Sequence, residues 1–133
     1  MSVENGHFPL MQLKRYVDGL WLPSETEAPW TVPTWELATG SETELLRVLR
    51  RGSKTPIAEI SLDELRAHVQ QRCHSYGAAG RSLSQQHQDL FDWLQQTCDR
   101  VQVFRVGTVT IDIVVIGIID NHYVALQTQS VET

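Results

Sequence analysis

The last third of the chain contains the feature that most restricts its fold, a region dense in β-branched residues. Three predicted strands make up this region, at residues 101–106, 108–118 and 123–131, with turns at Gly107 and at residues 120–122. Consecutive strands joined by short turns pair naturally as an antiparallel meander. Residues 114–119 of the middle strand are apolar on both faces. That strand is therefore predicted to be central, with helices covering both faces of the sheet.

Helical periodicity and capping signals predict four helices before or between the strands. They are expected at residue 8 to about 21, from the Ser41-x-x-Glu44 box to near Gly52, from the Ser61-x-x-Glu64 box to about Gly77, and from Ser84 to Cys98. Residues 31–37 and 56–60 are predicted to be strands, and Pro33 confines the first of them to a sheet edge or a bulge. Residues 22–30 are predicted to be an exposed loop. The order α-β-α-β-α-α-β-β-β predicts an α+β fold, a three-layer α/β/α sandwich.

Length and composition indicate one globular domain over residues 1–133. A chain of 133 residues buries roughly 68% of its unfolded surface around one core. The longest apolar run, residues 113–119, is far shorter than the roughly 20 residues that a membrane helix requires. The N-terminal residues do not show the basic region followed by an apolar region that is typical of an export signal. We expect a cytoplasmic protein without membrane contact.

The charge of the chain is unevenly distributed and bears on its partners. Residues 1–46, 47–81 and 82–133 carry net charges of −5, +4 and −4, which give −5 in total. A direct nucleic-acid binder depends on Lys and Arg to neutralise phosphates, so an acidic chain is a poor candidate. A basic partner suits this chain better.

Motifs for catalysis or metal binding are weak in this sequence. It has no nucleophile elbow, phosphate-binding loop, zinc-protease motif or dinucleotide fingerprint. His68, Cys73, His74 and His87 could be imagined as a metal cluster, but on one helix Cys73 and His74 point about 100° apart, and solvated or core-edge histidines explain them as well. Cys73 or Cys98 could act as a nucleophile paired with His87, although a thiol on a core face is normally inert. We expect no enzyme activity and no cofactor.

Two acidic segments remain as candidate binding elements. Residues 24–27, Ser-Glu-Thr-Glu, precede Ala28 and Pro29 rather than an apolar helical run, so the loop is either a solvated acidic segment or a contact surface. The sequence ends at residues 127–133, which continue the last strand pattern to Thr133. That end is predicted to be held by the strand, with a frayed tail as the alternative.

Short segments in a fixed order extend along almost the whole chain. They are Asp18-Gly19-Leu20, Ser24-Glu25-x-Glu27-x-Pro29, Trp35-Glu36, Val103-Phe104-Arg105-x-Gly107, Asp112, Val115-Ile116-Gly117 and Val131-Glu132-Thr133. In these segments and their order the chain resembles the nuclease A inhibitor family, small proteins that bind and block a sugar-nonspecific, metal-dependent DNA/RNA endonuclease. The resemblance implies a sandwich of the PR-1-like type.

The resemblance also implies two anchor points in the cleft of a magnesium-dependent nuclease. The family positions map onto Glu25 and Thr133, of which Thr133 would reach the catalytic magnesium of the partner through a bridging water. Ser24, Glu27 and Glu132 flank these anchors and join the predicted binding surface. The protein is expected to be a monomer that forms a 1:1 complex, with no metal of its own.

The chain departs from the family between its last two helices. Where the family has an acidic, tryptophan-containing segment, this chain has the shorter residues 75–81. Tyr76 could supply the missing contact, although its position on a helical stripe equally suits the core. A related protein-binding module with a different, basic partner is the alternative function, and an enzyme would instead require a concave pocket with convergent titratable groups.

Overall fold

The computed structural model describes residues 2–132, with side chains described from residue 9 onward, and has a mixed α+β fold. The helices are α1 (Ser2–Val17), α2 (Glu42–Val48), α3 (Leu62–Cys73) and α4 (Gly77–Thr97), with a 3-10 turn at His74–Tyr76. The strands are β1 (Trp21–Leu22), β2 (Ala28–Pro29), β3 (Ile57–Ile60), β4 (Arg100–Val106), β5 (Thr110–Ile119) and β6 (His122–Val131).

The main sheet is a four-stranded antiparallel sheet in the order β3-β4-β5-β6. The predicted meander is confirmed, with Val103 opposite Val115 and Val115 opposite Leu126. Asp120 and Asn121 have φ values of 48° and 65°, the left-handed backbone that a two-residue hairpin turn needs and that Asn and Asp tolerate best. β5 lies between two neighbours, as its sequence predicts.

Separate apolar clusters cover the two faces of this sheet. On one face the sheet packs against α1, α3 and α4, through buried residues that include Leu13, Leu65, Leu90, Val115 and Leu126. On the other face α2 and the segment after β2 pack against the sheet, through residues that include Leu45, Leu46, Trp35, Val114 and Ile116. Burial on both sides explains why β5 has no polar face in its middle. The assignment to the PR-1-like type stays a prediction.

The two predicted capping boxes begin helices, but Glu44 is used differently from the prediction. Ser41 and Ser61 each accept a hydrogen bond from the amide three residues on, at 3.1 and 3.0 Å. The Glu44 carboxylate, instead of turning back to Ser41, accepts the backbone N–H groups of residues 38, 39 and 40. These hydrogen bonds, from Ala38 first, hold the pKa of Glu44 at about 2.

The predicted strand at residues 31–37 is wrong. Only Thr31 pairs with the sheet, through two backbone hydrogen bonds to Gln127 at 2.8 and 2.9 Å. Pro33 has no N–H to donate, so the segment leaves the sheet, and Trp35 and Leu37 pack on its face. The predicted loop at residues 22–30 contains a small hairpin instead, in which β1 pairs with β2.

Several helix boundaries also differ from their predicted positions. α1 ends at Val17, before Gly19, whose φ of +72° suits a residue just past a helix end. α2 ends at Val48, short of the predicted end near Gly52. α4 begins at Gly77 rather than at Ser84, so Gly80 lies within a helix. Within residues 2–132, no helix is long and apolar enough to cross a membrane.

Candidate functional site

The acidic loop, residues 23–27, connects β1 and β2 at the surface. Glu25, Thr26 and Glu27 are exposed, whereas Pro23 is buried and Ser24 partly buried. The Ser24 hydroxyl donates to the carbonyl of Thr26 at 2.6 Å and accepts the amide of Thr26 at 3.2 Å. Such local side-chain bonds fix a turn. The loop therefore presents its carboxylates from a defined backbone.

The base of the hairpin is attached to the core by a buried aromatic pair. The indole N–H of Trp30 donates to Nε2 of His87 on α4 at 2.9 Å, and Nδ1 of His87 bonds the carbonyl of Leu83 at 2.8 Å. On the sheet side, the Thr128 hydroxyl donates to the carbonyls of Ala28 and Pro29 at 3.1 and 3.0 Å. Helix and sheet thus both hold the hairpin that carries the acidic loop.

The structure brings the acidic loop next to the end of β6. The backbone N–H of Val131 donates to the Ser24 hydroxyl at 3.3 Å. The N–H of the following residue, Glu132, donates to the carbonyl of Val109 at 2.9 Å, so the chain stays in contact with the sheet past the last strand residue. The two segments singled out in the sequence therefore lie side by side as far as Glu132. Thr133 lies outside the described residues.

The carboxylate of Glu132 is neutralised from several elements. Arg105 of β4 donates to it at 2.6 Å, Arg72 of α3 at 2.8 Å and the Ser130 hydroxyl at 2.8 Å. Partial burial alone would raise the pKa of Glu132, but the hydrogen bonds from Arg105, Ser130 and Arg72 lower it to about 2. Its charge is used within the molecule. The predicted contact of Glu132 with a partner stays a prediction.

Tyr76 lies in the 3-10 turn and is 38% exposed. Its ring meets that of Trp21, on β1, in an edge-on arrangement with centroids 5.6 Å apart. The side chain is thus at the surface beside the hairpin rather than in the core. Its predicted contact with a partner stays a prediction.

The alternative chemistry considered for cysteine and histidine finds no support in the described part of the chain. Burial raises the pKa of Cys73, and burial together with the charge of Asp99 raises the pKa of Cys98 to about 11, the opposite of what a reactive thiolate needs. Both ring nitrogens of His87 are already bonded. Among residues 9–132 no three His, Cys, Asp or Glu side chains are placed to hold a metal ion.

A cleft of about 560 Å³ opens elsewhere on the molecule. It lies between α1, residues 32–38 and the start of β6, where Lys14, Trp35 and Tyr123 are among its lining residues. None of the predicted site residues lines it. This cleft is therefore separate from the predicted binding residues.

The arginines that hold Glu132 were missed in the sequence analysis. Arg72 and Arg105 are isolated bases on a helix and a strand, and Ser130 is one polar residue in a strand. All three bind Glu132, which is 60 positions from Arg72, 27 from Arg105 and 2 from Ser130 along the chain. The alternating pattern of β6 places Ser130 and Glu132 on the same face, and Arg105 and Glu132 both lie in the segments that carry the family resemblance. No sequence signal links Arg72 to Glu132.

Comparison with known proteins identifies one family. The family model described as nuclease A inhibitor-like protein matches residues 9–133, almost the full chain. A search of curated proteins gave no significant match.

Proposed function

Since the chain belongs to the nuclease A inhibitor-like family, we propose that it inhibits a sugar-nonspecific, magnesium-dependent DNA/RNA endonuclease by occupying the active-site cleft. In this proposal the protein is a non-catalytic monomer of the PR-1-like sandwich type that forms a 1:1 complex in the cytoplasm. Glu25 of the acidic loop and Thr133 are the two anchors. Thr133 reaches the magnesium of the nuclease through a water.

The observation that carries the proposal is the hydrogen bond between the acidic loop and the end of β6. The Val131 amide donates to the Ser24 hydroxyl, so the residue before Glu25 is bonded to a residue two positions before Thr133. A cleft that binds polyanionic phosphate beside a divalent cation also attracts carboxylates presented in its place. The inhibitor thereby acts as a decoy for nucleic acid.

Rigid presentation supports this role because ordering a flexible loop on binding subtracts from affinity. The acidic loop is fixed by Ser24, and its hairpin is held by Trp30 and Thr128. Among the described residues of this surface, Glu25 and Glu27 are exposed. Glu27 adds to the local negative potential, and Tyr76, beside the hairpin, supplies an aromatic contact.

The test is plasmid cleavage by several sugar-nonspecific, magnesium-dependent nucleases, titrated with this protein. We expect inhibition that is complete at one inhibitor per nuclease. Glu25→Ala should weaken it by roughly 30-fold, the effect of losing a central interface residue, while the matched control Glu36→Ala, another exposed glutamate, leaves it unchanged.

A short extension appended after Thr133 tests the second anchor. We expect the extended protein to fold normally and to lose inhibition, because added residues would collide with the floor of the cleft. Equal inhibition by the extended and unextended proteins would contradict the role of Thr133. If no nuclease in the set is inhibited, the proposal fails, and a different basic partner should be sought by capture from lysate.

A further inference from the structure

The side chain of Arg72 lies between the two segments of the proposed binding surface. From α3, its Nη2 atom donates to the Glu132 carboxylate at 2.8 Å, while Nη1 donates to the backbone carbonyl of Pro23, the first residue of the acidic loop, at 3.4 Å. The side chain is 23% exposed. One guanidinium group therefore contacts the loop and the end of β6 simultaneously.

Among the described residues, the other hydrogen bonds to the Glu132 carboxylate come from the sheet. Arg105 of β4 and Ser130 of β6 bind the carboxylate, and both belong to the sheet that already carries Glu132. Arg72 adds a connection to a different layer of the molecule, the helix α3, and extends it to the loop. The planar guanidinium, with several donors in a fixed geometry, is suited to such a bridge, whereas an ammonium group offers one nitrogen.

We infer that Arg72 is a positioning residue for nuclease inhibition, which fixes the acidic loop and the end of β6 relative to each other so that both anchors meet the partner together. The role of Arg72 in inhibition rests on the proposed function. Two anchors held at a fixed separation bind as a unit, whereas anchors that move independently lose conformational freedom on binding. Arg72 acts through the backbone and Glu132, without touching the nuclease.

The first test compares Arg72→Met with Arg66→Met. Methionine keeps most of the aliphatic stem and removes the guanidinium. Arg66 is a matched control because it lies on the same helix, is 16% exposed and makes a 2.8 Å ion pair, but with Asp92 of α4 instead of the site. For a nuclease that the wild type inhibits, Arg72→Met should raise the Kd about tenfold, while Arg66→Met changes it less than about twofold.

The second test needs no nuclease and measures amide hydrogen exchange by NMR. The Thr26 amide reports on the loop, and the amides of Val131 and Glu132 report on the end of β6. Arg72→Met should accelerate exchange at these three sites and leave the core of β5 protected, whereas Arg66→Met should not accelerate them. Arg72→Lys should retain protection at Glu132, through the remaining ion pair, and lose it at Thr26.

The outcomes separate failure of the inference from failure of the proposed function. Unchanged exchange in Arg72→Met overturns the inference whatever the nuclease assay gives. Faster exchange with an unchanged Kd, or an equal rise in Kd in Arg66→Met, overturns the role in inhibition. If the wild type inhibits none of the nucleases, the proposed function fails, while the exchange measurements still decide whether Arg72 positions the two segments.

Discussion

The pair formed by Trp30 and His87 illustrates how one buried residue can make a surface element rigid. His87 is fully buried, and its Nε2 atom accepts a hydrogen bond from the Trp30 indole, which has only a donor. The imidazole is therefore neutral, with its proton on Nδ1 facing the carbonyl of Leu83. Protonation of Nε2 would break the bond to Trp30 and place a charge in the core.

This arrangement predicts that stability decreases as pH falls below about 6.5. Burial lowers the pKa of His87 below its ordinary value of 6.5, so the unfolded chain takes up a proton that the folded chain excludes. The free energy of unfolding should therefore fall between pH 8 and pH 5.5 because of this group. Urea denaturation followed by tryptophan fluorescence at pH 8 and pH 5.5 measures it.

His87→Gln should be less stable at pH 8 and should lack this part of the pH dependence. His122 is exposed, so His122→Gln serves as the matched control and should retain the pH dependence that His87 causes. Equal pH dependence in His87→Gln and wild type would contradict the assignment. Glu44 and Glu132 act in a different range, because their lowered pKa values give stability that is complete above about pH 4.5 and is lost only as pH falls toward 2.

At the scale of elements, the junction of α3 and α4 depends on a close approach that only glycine permits. A Cβ atom on Gly80 would lie 1.9 Å from the carbonyl oxygen of Cys73 and 2.9 Å from the Cβ of Tyr76. Cys73 is the last residue of α3, and Tyr76 lies in the turn that connects α3 to α4. Gly80 thus sets the angle at which α4 leaves α3 and, with it, the position of Tyr76 beside the hairpin.

Gly80→Ala is predicted to destabilise the protein, although alanine is the better helix former. Helix propensity alone would stabilise the variant by about 1 kcal/mol, but the contact with Cys73 forces the backbone apart, which typically costs about 1–3 kcal/mol. Urea denaturation should show a net loss. Ala79→Gly, an exposed position in the same helix, is the control and should lose only about 1 kcal/mol. A Gly80→Ala variant more stable than the wild type would contradict the close approach of α4 to Cys73.

The main sheet and the starts of α2 and α3 were predictable because their signals are local. Alternation and β-branched residues locate β4, β5 and β6, and a serine three residues before a glutamate marks the starts of α2 and α3. The hairpin of β1 and β2 was not predictable, since two-residue strands have no period. The start of α4 was placed too late, at Ser84, because the role of Gly80, close packing against Cys73, depends on a contact that no spacing reveals.

The candidate site was predictable only in part for the same reason. Ser24, Glu25 and Glu27 stand out as an acidic loop, and the family resemblance adds Thr133. The bond from Val131 to Ser24 depends on the packing of the hairpin against β6, and the ion pair from Arg72 to Glu132 depends on the packing of α3 against the sheet. Arg72, which supports the site from α3, belongs to none of the segments that carry the family resemblance.

At the scale of the whole molecule, the uneven charge predicts how ionic strength affects binding. The chain has a net charge of −5, and Glu25 and Glu27 are exposed at the proposed surface. If the partner cleft is basic, association should slow by about tenfold between about 0.02 and about 0.5 M salt, since screening shortens the range of attraction. The dissociation rate should change less with salt concentration. Surface plasmon resonance measures both rates.

Two charge variants localise this effect. Glu27→Gln should slow association at low salt, whereas Glu59→Gln, an exposed residue on the edge strand β3, should have little effect because β3 lies at the opposite edge of the sheet from β6. Association rates that do not vary with salt would contradict electrostatic steering.

The bond between Ser24 and Val131 joins residues separated by 107 positions, and this has a consequence for folding kinetics. Contacts between distant parts of a chain form only after the intervening loop has closed, which slows the folding of sheet-rich topologies. A partly folded chain with its helices formed but β6 undocked has no assembled surface, even though each segment is present. Recovery of inhibition after dilution from urea should therefore follow the docking of β6 rather than the appearance of helix.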